Sequence, residues 1–429
     1  MTTATHRLAT MAARRAGGEK PGITSVCSAH PLVIEAALRR SIERGADVLI
    51  EATCNQVNQD GGYTGMTPAD FRDFVLKIAA DVGFAPSGLI LGGDHLGPNP
   101  WKHLPPDEAM DKALAMIEGF AAAGFTKLHL DTSMGCAGDP VALTDDVTAA
   151  RAARLAERAE AVVARQGGIP PVYVVGTEVP IPGGALEALD HMQVTAADAA
   201  LETIAVHRRA FEQLGLADAF GRAIAAVVQP GVEFGNAELA VYRPEQARAL
   251  SAALSGQRQF VFEAHSTDYQ PKEALRALVG DGFAILKVGP GLTFALREAL
   301  YGLSAIAHVL VPDPDRPSLP EVMEAAMQAA PANWKKYYAG TEAELAMFRH
   351  FSFSDRIRYY WPVPTVEAAV DRLMATLGEQ AIPLPLIGQF LGRLSGAIAE
   401  GRVRPVARDL VLANIGLTLD DYDFATGGA

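Results

Sequence analysis

LILGGDHLGPNPW, residues 89–101, decides how the rest of the chain is read. Its apolar opening is of strand type and runs into Gly92-Gly93, after which Asp94 and His95 stand side by side. Gly97, Pro98, Asn99 and Pro100 follow and break regular structure, because proline removes a backbone donor and fixes its own torsion. The segment therefore predicts a buried strand with an acid and an imidazole at its carboxyl end, opening into a rigid loop. In α/β proteins that edge of the sheet is where ligands and metals bind.

Seven further runs have strand texture: residues 22–29, 46–53, 127–133, 172–179, 223–231, 260–266 and 284–291. Between them lie stretches of helical periodicity, such as 31–44, 68–82, 107–123 and 146–165. Thr67 before Pro68 is a helix start, and Gly45, Gly83 and Gly124 sit where helices should stop. Eight strands alternating with helices over about 270 residues predict a TIM-type (β/α)8 barrel. A doubly wound open sheet would show a glycine-rich phosphate loop after its first strand, and none is present. From VPDPDRPSLP onward the texture changes to helical runs (320–329, 342–351, 366–377, 387–400 and 404–414) without a strand. The predicted organisation is an N-terminal arm (1–20), a barrel (21–310) and an α-helical C-terminal extension packed on it (311–429).

A net charge of −13 opposes a nucleic-acid partner, though arginine and lysine gathered locally still suit a sugar phosphate. Three scattered cysteines (Cys27, Cys54, Cys136) make neither a disulfide framework nor a Cys-rich zinc site. They read as small buried hydrophobes in a reducing, cytoplasmic protein. No run approaches the roughly 18 apolar residues of a membrane span. The N-terminus lacks the apolar core of a secretory signal.

Alternation along each strand says which end residues meet. Lys127, His129 and Asp131 point into the barrel, and Glu263 shares a face with His265. Glu51 and Thr53, Glu178, Gln229 and Lys287 lie on the second, fifth, sixth and eighth strands, and His30 follows the first. Charges inside a barrel are costly unless paired or coordinated, so this concentration predicts a polar active-site mouth. Asp94, Asp131 and Glu178 are the candidate catalytic carboxylates. His95 and His265, with Asp131, Glu178 or Asp94, form a candidate divalent-metal site with a position open to substrate, zinc being the expected ion. His129 reads either as a core histidine paired with Asp131 or Glu178, or as a ligand. Lys127 either snorkels or pairs with Glu51.

The turns at Gly289-Pro290-Gly291 and Gly183-Gly184 present backbone amides suited to an anion, and the loop after strand eight is a common phosphate site in barrels. Lys287, Gly289, Gly291, Arg356 and Arg358 are the candidate substrate or phosphate ligands. Arginine forks suit phosphate. The alternative for Arg356 and Arg358 is a helix end pinned by Asp355 beside an aromatic cluster.

The motifs HPLVIEAAL, LIEATCNQVNQDGGYTGMTPADF, GGDHLGPNPW, LHLDTSMGC, VVGTEVPIPGG, VFEAHSTDYQ, LKVGPGLTFALREAL and FSDRIRYYW resemble the GatZ/KbaZ family. These are non-catalytic subunits of class II D-tagatose-1,6-bisphosphate aldolase, and the match runs from about residue 22 to at least 420. The resemblance implies a barrel similar to class II aldolases, acting in galactitol or N-acetylgalactosamine catabolism beside a separate catalytic subunit. A homo-oligomer is compatible with it. Some relatives are described as metal-dependent ketohexose epimerases, others as tagatose-6-phosphate kinases. The kinase label finds no P-loop and no nucleotide fingerprint here, so no nucleotide cofactor is expected. Asp94-His95 resembles the metal-binding pair of true class II aldolases, and His265 matches a later histidine. Gln229 stands where the sixth strand would bring another. Three readings follow: an aldolase subunit without turnover of its own, a stand-alone metal-dependent aldolase or epimerase, and a sugar-phosphate kinase.

Overall fold

The computed structural model describes residues 4–140, 143–176 and 192–427. Eight parallel strands close into a barrel, each beside its neighbour in the chain. They are β1 (Ile23–Val26), β2 (Val48–Thr53), β3 (Leu89–Leu96), β4 (Lys127–Leu130), β5 (Val172–Val175), β6 (Ala223–Val228), β7 (Val261–Ala264) and β8 (Phe283–Val288). All eight expected strands are present, and several end earlier than their apolar texture does. The residues past β4 and β7 leave the ladder to build loops at the carboxyl edge.

Helix ends follow local chemistry. Thr67 and Asp70 form a reciprocal capping box before Pro68–Val82, and Gly45 and Gly83 close their helices in the left-handed conformation that glycine adopts without strain. Among the described residues, no helix is long and apolar enough to cross a membrane.

The barrel interior is layered. Its lower layer is apolar, with Leu49, Ile90, Val174, Val227 and Ile285 packed together. Two short helices, Ala4–Ala9 and Met11–Ala16, bury Leu8, Met11 and Ala12 against this layer, so the N-terminal arm is a helical plug. Above it the same strands turn polar: Leu49 gives way to Glu51, Val261 to Glu263, and Ile285 to Lys287. Gly92 makes room there, since a Cβ would stand 2.6 Å from Cγ of Glu51.

The C-terminal extension is helical, as expected. Glu342–Phe351 coincides with its predicted run, whereas the run at 387–400 is broken into Leu384–Phe390 and Ser395–Ala399. The last helix, Ala407–Thr426, continues well past the predicted 414 and packs on Pro31–Arg44, Lys272–Asp281 and Pro290–Leu310. Arg44 pairs with Asp423 and Arg408 with Glu35 across that contact. Tyr422 donates its hydroxyl to the carbonyl of Thr267 at 2.8 Å, which ties the helix to the loop after β7.

Candidate metal centre

Three imidazoles meet at the carboxyl end of the barrel. The ring centroids of His95, His129 and His265 stand 5.1, 4.9 and 5.2 Å apart, and all three rings are buried. Strict alternation would send Asp94 and His95 to opposite faces of β3. The register shows why both reach the interior: Gly93 faces Leu128, but Leu96 faces Leu130, so β3 carries one extra residue. His95 absorbs that bulge at a φ of 49°, in the left-handed region that a non-glycine residue rarely enters. Ser266 (φ 53°), Tyr269 (φ 63°) and Asp355 (φ 43°) are likewise strained, and such strain gathers at functional sites.

Each ring is anchored through one nitrogen. Nδ1 of His95 lies 2.7 Å from Oδ2 of Asp131, Nδ1 of His129 lies 2.9 Å from Oδ1 of Asp94, and Nε2 of His265 lies 3.0 Å from Oε1 of Glu263. Nε2 of His129 is buried with no hydrogen-bond partner, a costly state for a polar atom. Asp94, His95, His129 and His265 each offer a ligand atom, all within 4.8 Å of one another. Imidazoles held by carboxylates on their outer nitrogens, with inner atoms converging, fit a divalent cation.

Beneath the imidazoles lies a buried ionic layer. Nζ of Lys127 reaches Oε1 of Glu51 at 2.6 Å and Oε2 of Glu263 at 2.8 Å. Nζ of Lys287 pairs with Glu51 and stands 2.8 Å from Oδ1 of Asp94. Of its two readings, Lys127 therefore takes the pairing with Glu51. Burial pushes Asp94 and Glu263 upward, but His95 and Lys287 around the first, and the two lysines around the second, hold both well below the carboxylate range. Burial lowers His265 to about 4 despite Glu263. For His95 burial is outweighed by Asp94 and Asp131, which raise it. Asp131 is held at about 2 against its burial by the His95 bond.

The remaining expected site residues divide. Asp131 lies at the centre but spends Oδ2 on His95 and Oδ1 on Ser133, so it orients the His95 ring. Lys287 sits in the ionic layer, not at an open phosphate cradle. The amides of Gly289 and Gly291 donate to Oδ1 of Asp268 at 2.9 and 2.7 Å, so they are already filled. Arg356 lies over the ring of Tyr337 at 3.3 Å and donates to the carbonyl of Asn333. Its pinning partner is thus not Asp355, which pairs instead with Arg297. Arg358 lines the mouth and donates to the carbonyls of Ser354 and Asp355 and to the hydroxyl of Tyr359. Glu178 and Gly183-Gly184 lie outside the described residues. Gln229 accepts from the amides of Gly231 and Val232 and shapes its own turn. The third imidazole of the cluster comes from His129 on β4. The sequence signal for it was its inward face beside Lys127 and Asp131.

A mouth cavity of about 80 Å³ is lined by Asp94, His95, His265, Lys287, Asp268 and Arg358, among others. It shares Cys27, Gln56, Tyr63, Gly289 and Arg358 with a neighbouring groove of about 1150 Å³.

Residues 8–427 match the family described as D-tagatose-1,6-bisphosphate aldolase subunit GatZ/KbaZ-like. The chain belongs to this family. An Agrobacterium fabrum relative named D-tagatose 6-phosphate 4-epimerase is 52% identical over 421 residues, covering 98% of either chain. A Salmonella enteritidis relative named D-tagatose-1,6-bisphosphate aldolase subunit GatZ is 50% identical over 411 residues, 96% of this chain and 97% of its own. A crystal structure from Sinorhizobium meliloti, described as a probable tagatose 6 phosphate kinase, is 60% identical. It superposes with a TM-score of 0.88 over 94% of this chain and 100% of its own. The sequence-based expectation of a subunit in a class II tagatose-bisphosphate aldolase system is borne out by the family.

Proposed function

We propose that this GatZ/KbaZ-type chain serves D-tagatose phosphate catabolism, and that its own barrel mouth is a metal-dependent site for a phosphorylated ketohexose. The observation that carries the reading is the triangle of carboxylate-backed imidazoles, with Nε2 of His129 buried and unbonded. His95, His129, His265 and Asp94 would hold the ion, with zinc suited to this nitrogen-rich set. When bound, the ion supplies Lewis-acid polarisation of the ketose oxygen. Asp131 and Glu263 orient the rings, and Lys287 compensates Asp94 and Glu51. Arg358 faces the phosphate. The barrel of residues 21–310 carries the site, and segments 1–20 and 311–429 brace it in a cytoplasmic protein that works beside a catalytic aldolase subunit.

A second reading, catalysis by this chain alone, is favoured by the completeness of the site and by the Agrobacterium relative named as a 4-epimerase. Breaking and re-forming the C3–C4 bond of a ketohexose is common to aldol cleavage and to inversion at C4. Both readings therefore ask the same of these residues. A kinase reading has no phosphate loop in the sequence to support it.

Metal analysis of the purified chain comes first, followed by assays of D-tagatose 6-phosphate epimerisation and of bisphosphate cleavage, each with and without an aldolase partner. About one equivalent of metal is expected, with epimerisation by the chain alone or stimulated cleavage in the mixture. A chain that binds no metal and changes neither reaction overturns the proposal. ATP-dependent phosphorylation of tagatose 6-phosphate would restore the kinase.

A further inference from the structure

The loops after β7 and β8 and the start of the following helix are where barrels of this kind commonly hold a phosphate. Here that cradle has a resident. Asp268, 2% exposed, accepts hydrogen bonds from both Gly289 and Gly291 through one oxygen, at the amino end of Pro290–Leu310. The amides and helix dipole that would meet a phosphate already meet a carboxylate.

The charges around the same cavity point the same way. Among the described residues its lining lysine and arginine are Lys287 and Arg358. Lys287 is neutralised by Glu51 and Asp94. Arg358 bonds only to two carbonyls and a phenol, and among the described residues it has no carboxylate at ion-pair distance. Among the described residues the mouth thus offers one cation without a direct carboxylate partner, attracted only at longer range by Asp355 and Asp268, and a carboxylate where a second phosphate would lie.

We infer that Asp268 is a specificity residue that restricts this site to ketohexose monophosphates and excludes bisphosphates. The inference rests on the sugar-phosphate reading above and deepens it. It also accounts for how a barrel in an aldolase-subunit family would favour a 6-phosphate over a 1,6-bisphosphate: like charges brought together are strongly disfavoured away from water.

The test is calorimetric binding of D-tagatose 6-phosphate and D-tagatose 1,6-bisphosphate to the full chain, in wild type, Asp268→Ala and Asp268→Asn. Wild type is expected to bind the monophosphate about tenfold or more tightly than the bisphosphate, as like-charge exclusion requires. Asp268→Ala should narrow or reverse that ratio, and Asp268→Asn, which keeps an acceptor for both amides, should shift it partway. Equal binding of the two sugars by wild type overturns the inference. So does an unchanged ratio in a folded Asp268→Ala protein, or in Asp268→Asn should the alanine variant not fold. Failure of wild type to bind either sugar is a different result: it removes the sugar-phosphate reading itself, and the inference with it.

Discussion

Oδ2 of Asp131 stands 2.7 Å from Nδ1 of His95. This one contact determines which face of the ring turns toward His129 and His265. With Nδ1 engaged, Nε2 is left for a ligand, and it lies 3.8 Å from Oδ2 of Asp94. Asp131→Ala is expected to weaken metal binding about 10–100-fold, the usual cost of removing a carboxylate behind a ligand histidine. Competition against a chromophoric chelator measures it. Unchanged affinity would mean that His95 is oriented by its strained backbone alone.

His129→Ala should abolish stoichiometric metal binding, because it removes the ring whose Nε2 has no other partner. Gln229→Ala should leave metal content intact, since Gln229 only braces its own turn. Elemental analysis of the two variants separates this site from the pattern with a sixth-strand ligand. The reverse outcome would move the centre toward β6.

Gly97→Ala is expected to cost about 2–4 kcal/mol or prevent folding, because overpacking against immovable backbone is among the largest single-residue penalties. The new Cβ would fall inside the carbonyl oxygen of Asp131. Urea unfolding reads the loss. A shift below about 0.5 kcal/mol would show that the two loops can separate freely.

Lys127→Met should destabilise the barrel by roughly 3–5 kcal/mol, since it leaves buried carboxylates of Glu51 and Glu263 with half their compensation. Adding Glu51→Gln should recover part of the loss. A double mutant as unstable as the sum of the singles would mean that the ion pairs are not coupled.

In the metal-free protein, the buried histidines should withdraw stability as pH drops from 7 toward 4. Burial lowers His30, His207 and His265 to about 4 in the folded state, against 6.5 for the free group. Between those values the unfolded chain takes up protons that the folded chain refuses, so stability rises with pH across that window. His95, Glu233 (pushed up to about 7) and Asp268 (about 6) are all raised in the folded state and act in the opposite direction. Below about pH 4, protonation of Asp131, held at about 2, removes more. Thermal melts at stepped pH of wild type and His207→Gln test the sign: the variant should lose less stability on acidification than wild type, and an equal or greater loss contradicts it.

Much of this molecule is legible in its sequence. The strands of the barrel are spaced by helices whose starts and stops are marked by Thr67-Pro68, Gly45 and Gly83, and such signals are local. The inward faces of Lys127, His129 and Glu263 follow from a period of two. His129 as a third member of the centre is less visible, because a buried histidine with a carboxylate partner looks the same whether or not its second nitrogen is free. The phosphate reading of Gly289 and Gly291 fails for a similar reason: nothing near them in sequence reveals that Asp268, on another loop, has taken their amides.

GGDHLGPNPW thus marks, on its own, a buried strand whose acid and imidazole lie at the ligand-binding edge of a (β/α)8 barrel. Apolar periodicity and the conformational limits of glycine and proline act over a few residues and need no partner. The bulge that turns both Asp94 and His95 inward exists only against the register of β4. The convergence of three rings, the ionic layer beneath them and the carboxylate held by the Gly289 and Gly291 amides depend likewise on barrel closure. Closure brings residues from distant strands within a few ångströms, where burial makes every unpaired charge costly and so selects the pairings observed.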